Sequence, residues 1–300
     1  MKKVFISFIL TVFIIAGIFC KKSTSQNNTN QELSGPYLGQ IPPGKTPKVF
    51  APEIISMEVH GGLVFSPDGK EVYWDLMDGK NILFMKLKNK KWTEPAEVSF
   101  HSEYKTSDPV FSIDGKKMFF NSTFPLTSTQ KDYEEKIWVV ERQNNGWSEP
   151  RPLNNAVNSL SRIHWQLSVA ANGNLYFGAD SDVYMAKPVN GEYKLVEKLG
   201  TAVNTEFIDQ APYIAPDESY LIFSRHGGDI KYSDLFISFK DGDGNWTEAK
   251  NIGEPVNSSG NDICAHVTAD GKYLFYNRNH GPNGKLTVFW VSASIIYDLR

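Results

Sequence analysis

Short apolar runs and tight polar turns alternate along the chain, and one such unit returns five times. The unit is a pair of apolar runs joined by an Asp-Gly type turn. Its copies read FSPDGKEVYW at 65–74, FSIDGKKMFF at 111–120, VAANGNLYFG at 169–178, IAPDESYLIF at 214–223 and VTADGKYLFY at 267–276. Apolar runs of this length between turn residues predict paired β-strands. Their return at a period of about 50 residues indicates a repeat architecture.

Two further segments follow each hairpin. A third predicted strand occupies 81–89, 136–144, 182–190, 234–242 and 286–294. A fourth begins with an aromatic residue and occupies 92–98, 147–153, 193–199 and 246–252. Four short strands per repeat predict the blades of a β-propeller. The tryptophans that open three of the fourth strands follow the repeat, so we expect them to pack between blades: Trp92, Trp147 and Trp246.

The turn residues are explained by hairpin geometry. In PDGK at 67–70 and IDGK at 113–116, glycine supplies the positive φ that closes a three-residue hairpin. Asp217-Glu218 has no glycine, and we expect a looser hairpin there. The recurring sequences before each following blade also predict turns, because Asn bonds locally and tolerates left-handed geometry. They are AVNS at 156–159, AVNT at 202–205 and PVNS at 255–258.

The fifth unit has no fourth strand, and a matching segment lies at the other end of the chain. VFAPEII at 49–55 aligns with WTEPAEV at 92–98, so this N-terminal strand is predicted to complete the last blade. Such closure protects strand edges that would otherwise invite aggregation. We therefore predict an all-β, five-bladed propeller of four-stranded antiparallel blades, closed by an N-terminal strand. A six-bladed ring is the alternative, and it would need a blade in the polar residues 21–48.

The N-terminus resembles the signal of a bacterial lipoprotein. A basic start at residues 1–3 precedes an almost continuous apolar run at 4–19, and Cys20 follows. The run is shorter than the roughly 20 residues that span a membrane. The resemblance implies acylation of Cys20, so that the chain is anchored by lipid.

This interpretation divides the chain into residues 1–20 as the signal, 21–48 as a polar tether and 49–300 as one propeller domain. Phe19 departs from the small residue that lipoproteins prefer before the cysteine. A signal peptide cleaved near Ser23–Ser25 and an uncleaved anchor are therefore alternatives. Each places the domain outside the cytoplasm, on the periplasmic side, at the cell surface or secreted.

Composition narrows the classes of partner. The net charge is −3 and no basic stripe occurs, so we expect no nucleic-acid partner. Hydrophobic residues make up 41% of the chain, as in a soluble domain that folds on its core alone. Cys264 is the only cysteine besides Cys20, and we expect it to be a small buried hydrophobe. We expect a monomer.

Candidate binding residues collect at one end of the predicted ring, which we call the axial face. It carries the starts of the first strands, the ends of the second strands and their loops. The position eight residues before each turn residue is polar in all five units: His60, Thr106, His164, Asp209 and Asp262. The set predicted to bind a ligand or partner is His60, Asp108, His164, Trp165, Asp209, Arg225, Asp262 and Arg278. Taken singly, each can equally be solvated or bonded to nearby backbone.

The F-S-P-D-G-K hairpin, the third strand that opens D-hydrophobic-Y/F, and the W-x-E-P fourth strand resemble the WD40-like repeats of TolB-type propellers, over about residues 49–300. That family includes periplasmic scaffold proteins and propellers fused to peptidases or peptidoglycan-binding domains, and it has no universal catalytic residues. The resemblance implies a non-catalytic envelope protein that binds an envelope protein or a cell-wall component. No cofactor is expected.

Two other functions remain open at this stage. Five-bladed propellers include glycoside hydrolases that use paired carboxylates, for which Asp108, Asp209 and Asp262 are candidates. Histidines on the predicted axial face suggest a metal site, but they come from different blades and lack the spacing of a metal motif. They are His60, His164, His226 and His280. We therefore assign no metal ligand and no catalytic residue.

Overall fold

The structure is a computed structural model that describes residues 33–55, 59–77, 81–100, 103–127, 129, 133–144, 146–279 and 284–300. The predicted signal, Cys20 and the first part of the predicted tether lie outside the described residues, as does His280. Within the described ranges, no helix has the length and apolar character needed to cross a bilayer.

The described strands form five antiparallel sheets, which are the five blades of the propeller. The chain enters through β1 (Lys48–Val49), which belongs to the last blade. Blade 1 has β2 (Val64–Phe65), β3 (Glu71–Asp75), β4 (Ile82–Lys88), β5 (Lys91–Trp92) and β6 (Ala96–Glu97). Blade 2 has β7 (Thr106–Phe111), β8 (Lys117–Ser122), β9 (Lys136–Gln143), β10 (Gly146–Trp147) and β11 (Arg151–Pro152).

A one-turn helix, α1 (Asn155–Asn158), leads to blade 3. Blade 3 has β12 (His164–Val169), β13 (Leu175–Ala179), β14 (Asp182–Val189) and β15 (Glu192–Lys198). Blade 4 has β16 (Ile208–Ile214), β17 (Tyr220–Gly227), β18 (Ile230–Phe239) and β19 (Lys250–Asn251). Blade 5 has β20 (Asn261–Val267), β21 (Tyr273–Asn279) and β22 (Thr287–Ser292), with β1 as its fourth strand. The short α2 (Ser294–Tyr297) follows it.

The predicted closure by an N-terminal strand is confirmed. β1 runs antiparallel to β22, with Lys48 opposite Trp290 and Val49 opposite Phe289. The strand is shorter than the predicted 49–55, because Ala51 adopts a positive φ of 42° and Pro52 follows it. A turn begins there, closed by the Ile54 N–H donating to the Ala51 carbonyl at 2.9 Å.

The propeller unit begins at Leu33, earlier than the boundary predicted at residue 49. The Trp92 N–H donates to the Leu33 carbonyl at 2.9 Å, and the Trp92 indole N–H donates to the Gly35 carbonyl at 2.8 Å. Leu38 is fully buried in the core between blades 5 and 1. Apolar side chains in an otherwise polar segment therefore dock residues 33–48 onto the ring.

The hairpin turns are built by one side-chain pattern. Asp68 accepts hydrogen bonds from the Ser66 hydroxyl and the Lys70 N–H, at 2.7 and 3.1 Å, and Gly69 takes a φ of 67°. The turn without glycine is not looser: the Glu218 N–H donates to the Ala215 carbonyl at 2.8 Å, as Gly69 donates to Ser66. Glu218 adopts a φ of 58°, which a non-glycine residue rarely does.

Neighbouring blade 3 holds that strained residue in place. The Glu218 carboxylate accepts hydrogen bonds from Asn172, Asn174 and the Tyr176 hydroxyl, at 2.9, 2.9 and 2.7 Å. Three contacts between blades therefore offset the strain of one left-handed residue.

Prolines divide the fourth strands. Pro95 separates β5 from β6 and Pro150 separates β10 from β11, because proline has no N–H for the ladder. Blade 3 has no proline in this segment, and its β15 runs unbroken over seven residues. Blade 4 also has no proline in this segment yet keeps only the two-residue β19, so proline accounts for the break in blades 1 and 2 alone.

The recurring Val-Asn sequences have a structural role that goes beyond the predicted turn. Asn204 accepts a hydrogen bond from the Val183 N–H at 2.7 Å and donates to the carbonyls of Val183 and Leu199 at 2.9 and 2.8 Å. Asn158 makes the same three bonds in blade 2. These buried amides tie the loop that leaves each blade to that blade's third strand.

Apolar cores lie between adjacent blades. Tyr73 of blade 1 packs edge-on against Phe111 of blade 2, with ring centroids 5.3 Å apart, and its hydroxyl accepts the Trp147 indole N–H at 3.4 Å. Trp246 of blade 4 packs edge-on against Tyr176 of blade 3 at 6.4 Å. The predicted packing of these tryptophans between blades is confirmed.

We expect Asn204→Ala to lower the free energy of unfolding by about 1–3 kcal/mol, because it leaves buried backbone groups of the third strand without partners. Urea unfolding followed by circular dichroism measures this loss. The exposed Asn144→Ala is the matched control, expected within about 0.5 kcal/mol of the parent. Equal effects of the two substitutions would contradict the structural role of Asn204.

Candidate functional site

A repeated bulge shapes the axial face. The register between first and second strands shifts between Ser107 and Val110 in blade 2, and the same shift occurs in blades 3, 4 and 5. Asp108, Ala211 and Cys264 lie in these bulges with left-handed φ of 53°, 54° and 59°. A bulge bends a strand and re-aims its side chains. Asp108 therefore lies in a bulge, whereas His164, Asp209 and Asp262 lie on the first strands before it.

Asp209 and Arg225 form a buried ion pair inside blade 4. Arg225 Nε donates to Asp209 Oδ1 at 2.6 Å, and Nη2 donates to the Val203 carbonyl at 2.8 Å. The other carboxylate oxygen accepts the Thr205 N–H at 2.8 Å and its hydroxyl at 2.7 Å. The side-chain hydrogen bonds of the pair are with its own blade and the loop that enters it, whereas the Asp209 backbone N–H donates to the Ser181 carbonyl of blade 3 at 2.9 Å.

Asp262 and Arg278 repeat this arrangement in blade 5. Arg278 Nε donates to Asp262 Oδ1 at 2.6 Å and Nη2 donates to the Val256 carbonyl at 2.5 Å. Asp262 Oδ2 accepts the Ser258 N–H and hydroxyl at 2.6 and 2.8 Å. The two aspartates predicted as partners of Asp108 are thus separate loop anchors, each neutralised by an arginine.

His164 occupies the corresponding position in blade 3 and is also structural. Its Nδ1 lies 3.2 Å from the Glu135 carbonyl and its Nε2 lies 3.2 Å from the Val157 carbonyl. Burial lowers the pKa of His164, so a neutral ring donates to one of these carbonyls. Trp165 beside it is 40% exposed.

His60, Asp75 and Asp108 form a compact polar cluster between blades 1 and 2. Their nearest ligand-type atoms all lie within 4.8 Å of one another. His60 Nδ1 lies 3.1 Å from Asp75 Oδ2, and Asp75 Oδ1 accepts the Gly61 N–H at 3.2 Å. A side chain at position 61 would overlap the Asp108 carboxylate, so glycine permits this close approach.

The cluster holds opposite charges in a largely buried setting. The hydrogen bond to Asp75 raises the pKa of His60 to about 9, which favours the imidazolium at neutral pH. Burial and the neighbouring Asp75 carboxylate raise the pKa of Asp108 to about 6. Asp108 therefore titrates in mildly acidic solution, which suits a group that takes up or releases protons.

Lys105 extends the cluster toward the surface. Its ammonium lies 3.4 Å from His60 Nε2 and 3.2 Å from the Glu135 carboxylate. Glu135 also accepts hydrogen bonds from the Ser107 hydroxyl at 3.0 Å and the Tyr133 hydroxyl at 3.2 Å. Tyr133 is 56% exposed, so a chain of polar contacts runs from solvent through Glu135, Lys105 and His60 to buried Asp75.

Amide side chains line the axis below this cluster. Gln166 of blade 3 donates to the Ala265 carbonyl of blade 5 at 3.2 Å, so it crosses the centre of the ring. Asn121 donates to Asp108 Oδ2 and to the His164 carbonyl, each at 3.1 Å. Asn277 donates to the Gly61 carbonyl at 2.6 Å. Apart from the Asn121–Asp108 bond within blade 2, these contacts join different blades, so the amides fasten the inner strands together.

One imidazole nitrogen and two carboxylates would suit a transition metal. In this cluster, however, Asp75 engages His60 Nδ1, and the Lys105 ammonium lies beside Nε2. His60 and Lys105 already supply positive charge near the Asp75 and Asp108 carboxylates. We therefore assign no metal to the cluster.

The structure sorts the predicted residues into three groups. Asp209–Arg225, Asp262–Arg278 and His164 are tied into their blades, whereas His60 and Asp108 come together and Trp165 stays exposed. Sequence reasoning did not select Asp75, which ends β3, and it missed Lys105 and Glu135. Lys105 and Glu135 lie just before β7 and β9, in loops that differ between the repeats. Alignment of the repeats at their turns therefore could not assign these two residues a position.

Comparison with known proteins supports the fold. No protein-family model matches the sequence, and no protein of curated function is significantly similar to it. The endo-arabinase from Bacteroides thetaiotaomicron aligns at a TM-score of 0.52 and 12% identity, over 80% of this chain and 95% of that one. A gluconolactonase from Xanthomonas campestris aligns at 0.48 and 9% identity, over 86% and 97%.

A third similar structure is the hydrazine synthase of Kuenenia stuttgartiensis, at a TM-score of 0.45 and 18% identity over 75% of this chain. The chain spans only 57% of that protein's length. At 12% identity, the alignment with the endo-arabinase shows a similar fold alone. The resemblance to TolB-type repeats stays a prediction.

We expect Arg225→Met to lower the free energy of unfolding by about 3–5 kcal/mol, because it leaves the buried Asp209 carboxylate without its counter-ion. Denaturant unfolding measures the change, and Asp209→Leu combined with Arg225→Met should recover part of it. Lys198→Met is the control, since its 2.6 Å pair with Asp182 is half exposed and contributes at most about 1 kcal/mol. Equal losses for the two single variants would contradict this assignment.

Asp108→Asn should stabilise the protein at pH 8 and have no such effect near pH 4. The folded-state pKa of about 6 exceeds the ordinary 3.8, so ionisation of Asp108 opposes folding increasingly as the pH rises between these values. The neutral amide removes that penalty. Unfolding free energies of both proteins at pH 4, 6 and 8 test this, and a difference that does not vary with pH would contradict it.

Proposed function

We propose that this protein is a non-catalytic binding protein of the bacterial cell envelope. It engages an envelope protein or a cell-wall component through the axial face. The observation that carries the proposal is the exposure of aromatic side chains on the axial face, which also carries the largely buried charged cluster. Interfaces with proteins commonly combine such aromatic anchors with charged groups.

Exposed apolar side chains support this choice of face. Tyr133 and Trp165 are 56% and 40% exposed, and both lie in or next to axial-face loops. Met77, Leu160 and Ile208 are exposed on the same face. Large exposed side chains that gather at one end of a propeller are typical of an interaction surface.

Charges around these residues add specificity. A shallow depression of about 500 Å³ includes Leu160, Glu134 and Arg162 on its wall. The cationic side chains of His60 and Lys105 lie at blades 1 and 2. A partner that presents charges of both signs together with apolar groups fits this mixture, because complementary charges select a partner more than they add affinity.

The proposal also assigns the protein a location in the cell envelope. Export by the N-terminal signal and acylation of Cys20 would hold the propeller at a membrane, with the polar residues that follow as its tether. Labelling cells with a palmitate analogue tests this, because the label should attach to the parent chain and not to Cys20→Ser. Equal labelling of the two, or none, would contradict lipid anchoring.

Affinity capture from envelope fractions tests the binding function. The full chain should recover a protein or a glycan component, and Trp165→Ala and Tyr133→Ala should each reduce recovery by about tenfold or more, as for interface anchors. Leu195→Ala is the matched control, because Leu195 is exposed on outer strand β15. If none of the three variants reduced recovery, the axial face would not be the binding surface.

A hydrolytic function is the second candidate, and the Asp75–Asp108 pair is the observation that favours it. The two carboxylates approach within 4.8 Å, near the roughly 5 to 5.5 Å of retaining glycosidases. The pKa of about 6 would let Asp108 supply a proton. Asp209 and Asp262 have no part in this version, because their arginine partners hold them within their own blades.

Release of reducing sugars from arabinan, fructan and xylan tests the second candidate. If it holds, the parent chain is active, Asp108→Asn loses at least about a hundredfold, and the exposed turn variant Asp114→Asn keeps its activity. No release by the parent chain from any of these substrates would reject hydrolysis and leave the binding function standing.

A further inference from the structure

The hairpin that joins β4 to β5 in blade 1 carries four lysines and no acidic residue, and we call it the lysine hairpin. Its sequence is KLKNKK at 86–91, directly before the aromatic residue Trp92. The six residues that precede the corresponding aromatic residue in blades 2, 3 and 4 are ERQNNG at 141–146, KPVNGE at 187–192 and KDGDGN at 240–245. Those segments are neutral, neutral and singly negative. In a chain with a net charge of −3, positive charge is therefore concentrated in one hairpin.

Neighbouring carboxylates neutralise only the base of the lysine hairpin. Lys86 Nζ lies 3.1 Å from the Glu71 carboxylate, which also holds Arg142 at 2.6 Å. Lys88 and Lys90 nearer the tip are exposed. Within the described part of the chain, neither of these two lysines forms an ion pair. The tip therefore presents cations to solvent without a counter-ion from the protein.

The turn at the tip holds a lysine where glycine is the preferred residue. Its loop is the two residues Asn89 and Lys90, with φ of 51° and 68°. Positive φ at both positions is typical of a type I′ hairpin, for which Asn-Gly is the favoured sequence. Blade 3 has that sequence at Asn190 and Gly191. A strained lysine at an exposed tip departs from the local preference, and such departures cluster where a protein contacts a ligand.

The N-terminal end of the described chain lies against the same hairpin. Ser34 forms an antiparallel bridge with Lys91, and the Leu33 carbonyl accepts the Trp92 N–H at 2.9 Å. Leu33 is thirteen residues after Cys20. A chain of that length spans at most about 45 Å when fully extended. Acylation of Cys20, as proposed above, would therefore keep the lysine hairpin close to the lipid surface.

The lysine hairpin lies on the side of the ring opposite the axial face. β4 pairs with β3 from Ile82, opposite Asp75, to Lys86, opposite Glu71. Asp75 ends β3 at the axial face, whereas Glu71 follows the turn at 67–70. The tip of the hairpin therefore lies on the turn side. A membrane on that side leaves the axial face free for a partner.

We propose that the lysine hairpin docks the propeller onto an anionic phospholipid surface. The proposal rests on the membrane attachment proposed above and adds to it the charge of the lipid and the orientation of the ring. Lysine clusters next to a membrane anchor bind acidic head groups, and each lysine near such a surface strengthens binding about fivefold. A lipid anchor combined with a basic patch holds a protein at a membrane more firmly than one acyl chain alone.

Lysine acetylation on vesicles tests the proposal. The full chain is reconstituted into vesicles of phosphatidylcholine alone, or of phosphatidylcholine and phosphatidylglycerol in equal parts, and recovered by flotation. Mass spectrometry then gives the acetylation rate of each lysine. Lys88 and Lys90 should react at least about fivefold more slowly on the anionic vesicles, and high salt should remove the difference by screening. Lys194, exposed on β15 of blade 3, should react alike on both.

Lys90→Gly separates loss of docking from loss of folding. It gives the turn the Asn-Gly sequence that a type I′ hairpin favours, so the variant should melt at or above the temperature of the parent chain. The excess protection of Lys88 should fall about fivefold, because one lysine is removed. Lys194→Gln is the matched control, since it removes a lysine from another blade and should leave the protection of Lys88 unchanged.

Equal acetylation of Lys88 on the two kinds of vesicle would overturn the proposal and leave the lipid anchor standing. Full protection of Lys88 in Lys90→Gly would overturn it too. Protection of Lys194 as strong as that of Lys88 would also do so, because lipid would then cover the ring without selecting this hairpin. A chain that floats with neither kind of vesicle would overturn this proposal together with membrane attachment, whereas capture through the axial face is unaffected by any of these results.

Discussion

Ring closure is the constraint on which this propeller depends, because each blade buries its faces only against its two neighbours. The closing strand β1 comes from the opposite end of the chain from β22, its partner in blade 5. Phe50 packs at this junction, with its ring 6.0 Å from Phe65 of blade 1 and 5.1 Å from Trp290 of blade 5. The docked residues from Leu33 onward add to the same core. The last blade is therefore complete only when both ends of the described chain have come together.

Repetition separates structural polar groups from candidates for function. Asp209–Arg225 and Asp262–Arg278 recur with the same partners in adjacent blades, and each neutralises its own charge. A pair that recurs with the same partners in two blades serves the architecture and says little about a ligand. The contacts among His60, Asp75, Asp108 and Lys105 belong to blades 1 and 2 alone. Such departures from the repeat are thus where the chain has specialised.

The fold was predictable because its signal is local and recurs: strand length, turn chemistry and the match of 49–55 to a fourth strand. The site was predictable only in part. The 16-residue spacing shared by Asp209–Arg225 and Asp262–Arg278 marks cross-strand partners of one hairpin, and it could have shown that they pair with each other. Lys105 and Glu135 could not be found that way, since they enter from loops whose lengths vary. Docking of Leu38 depends on a distant core that no local pattern reveals.

Urea unfolding of a chain that begins at Ala51, compared with the parent chain, tests the closure most directly. Removal of the closing strand and of Phe50 exposes the edge of β22 and the core between blades 5 and 1. The account predicts that the unfolding midpoint falls sharply, with loss of a single cooperative transition, because unpaired blades then open from the junction. An unchanged midpoint and a single transition of unchanged steepness would contradict the claim that this strand holds the ring together.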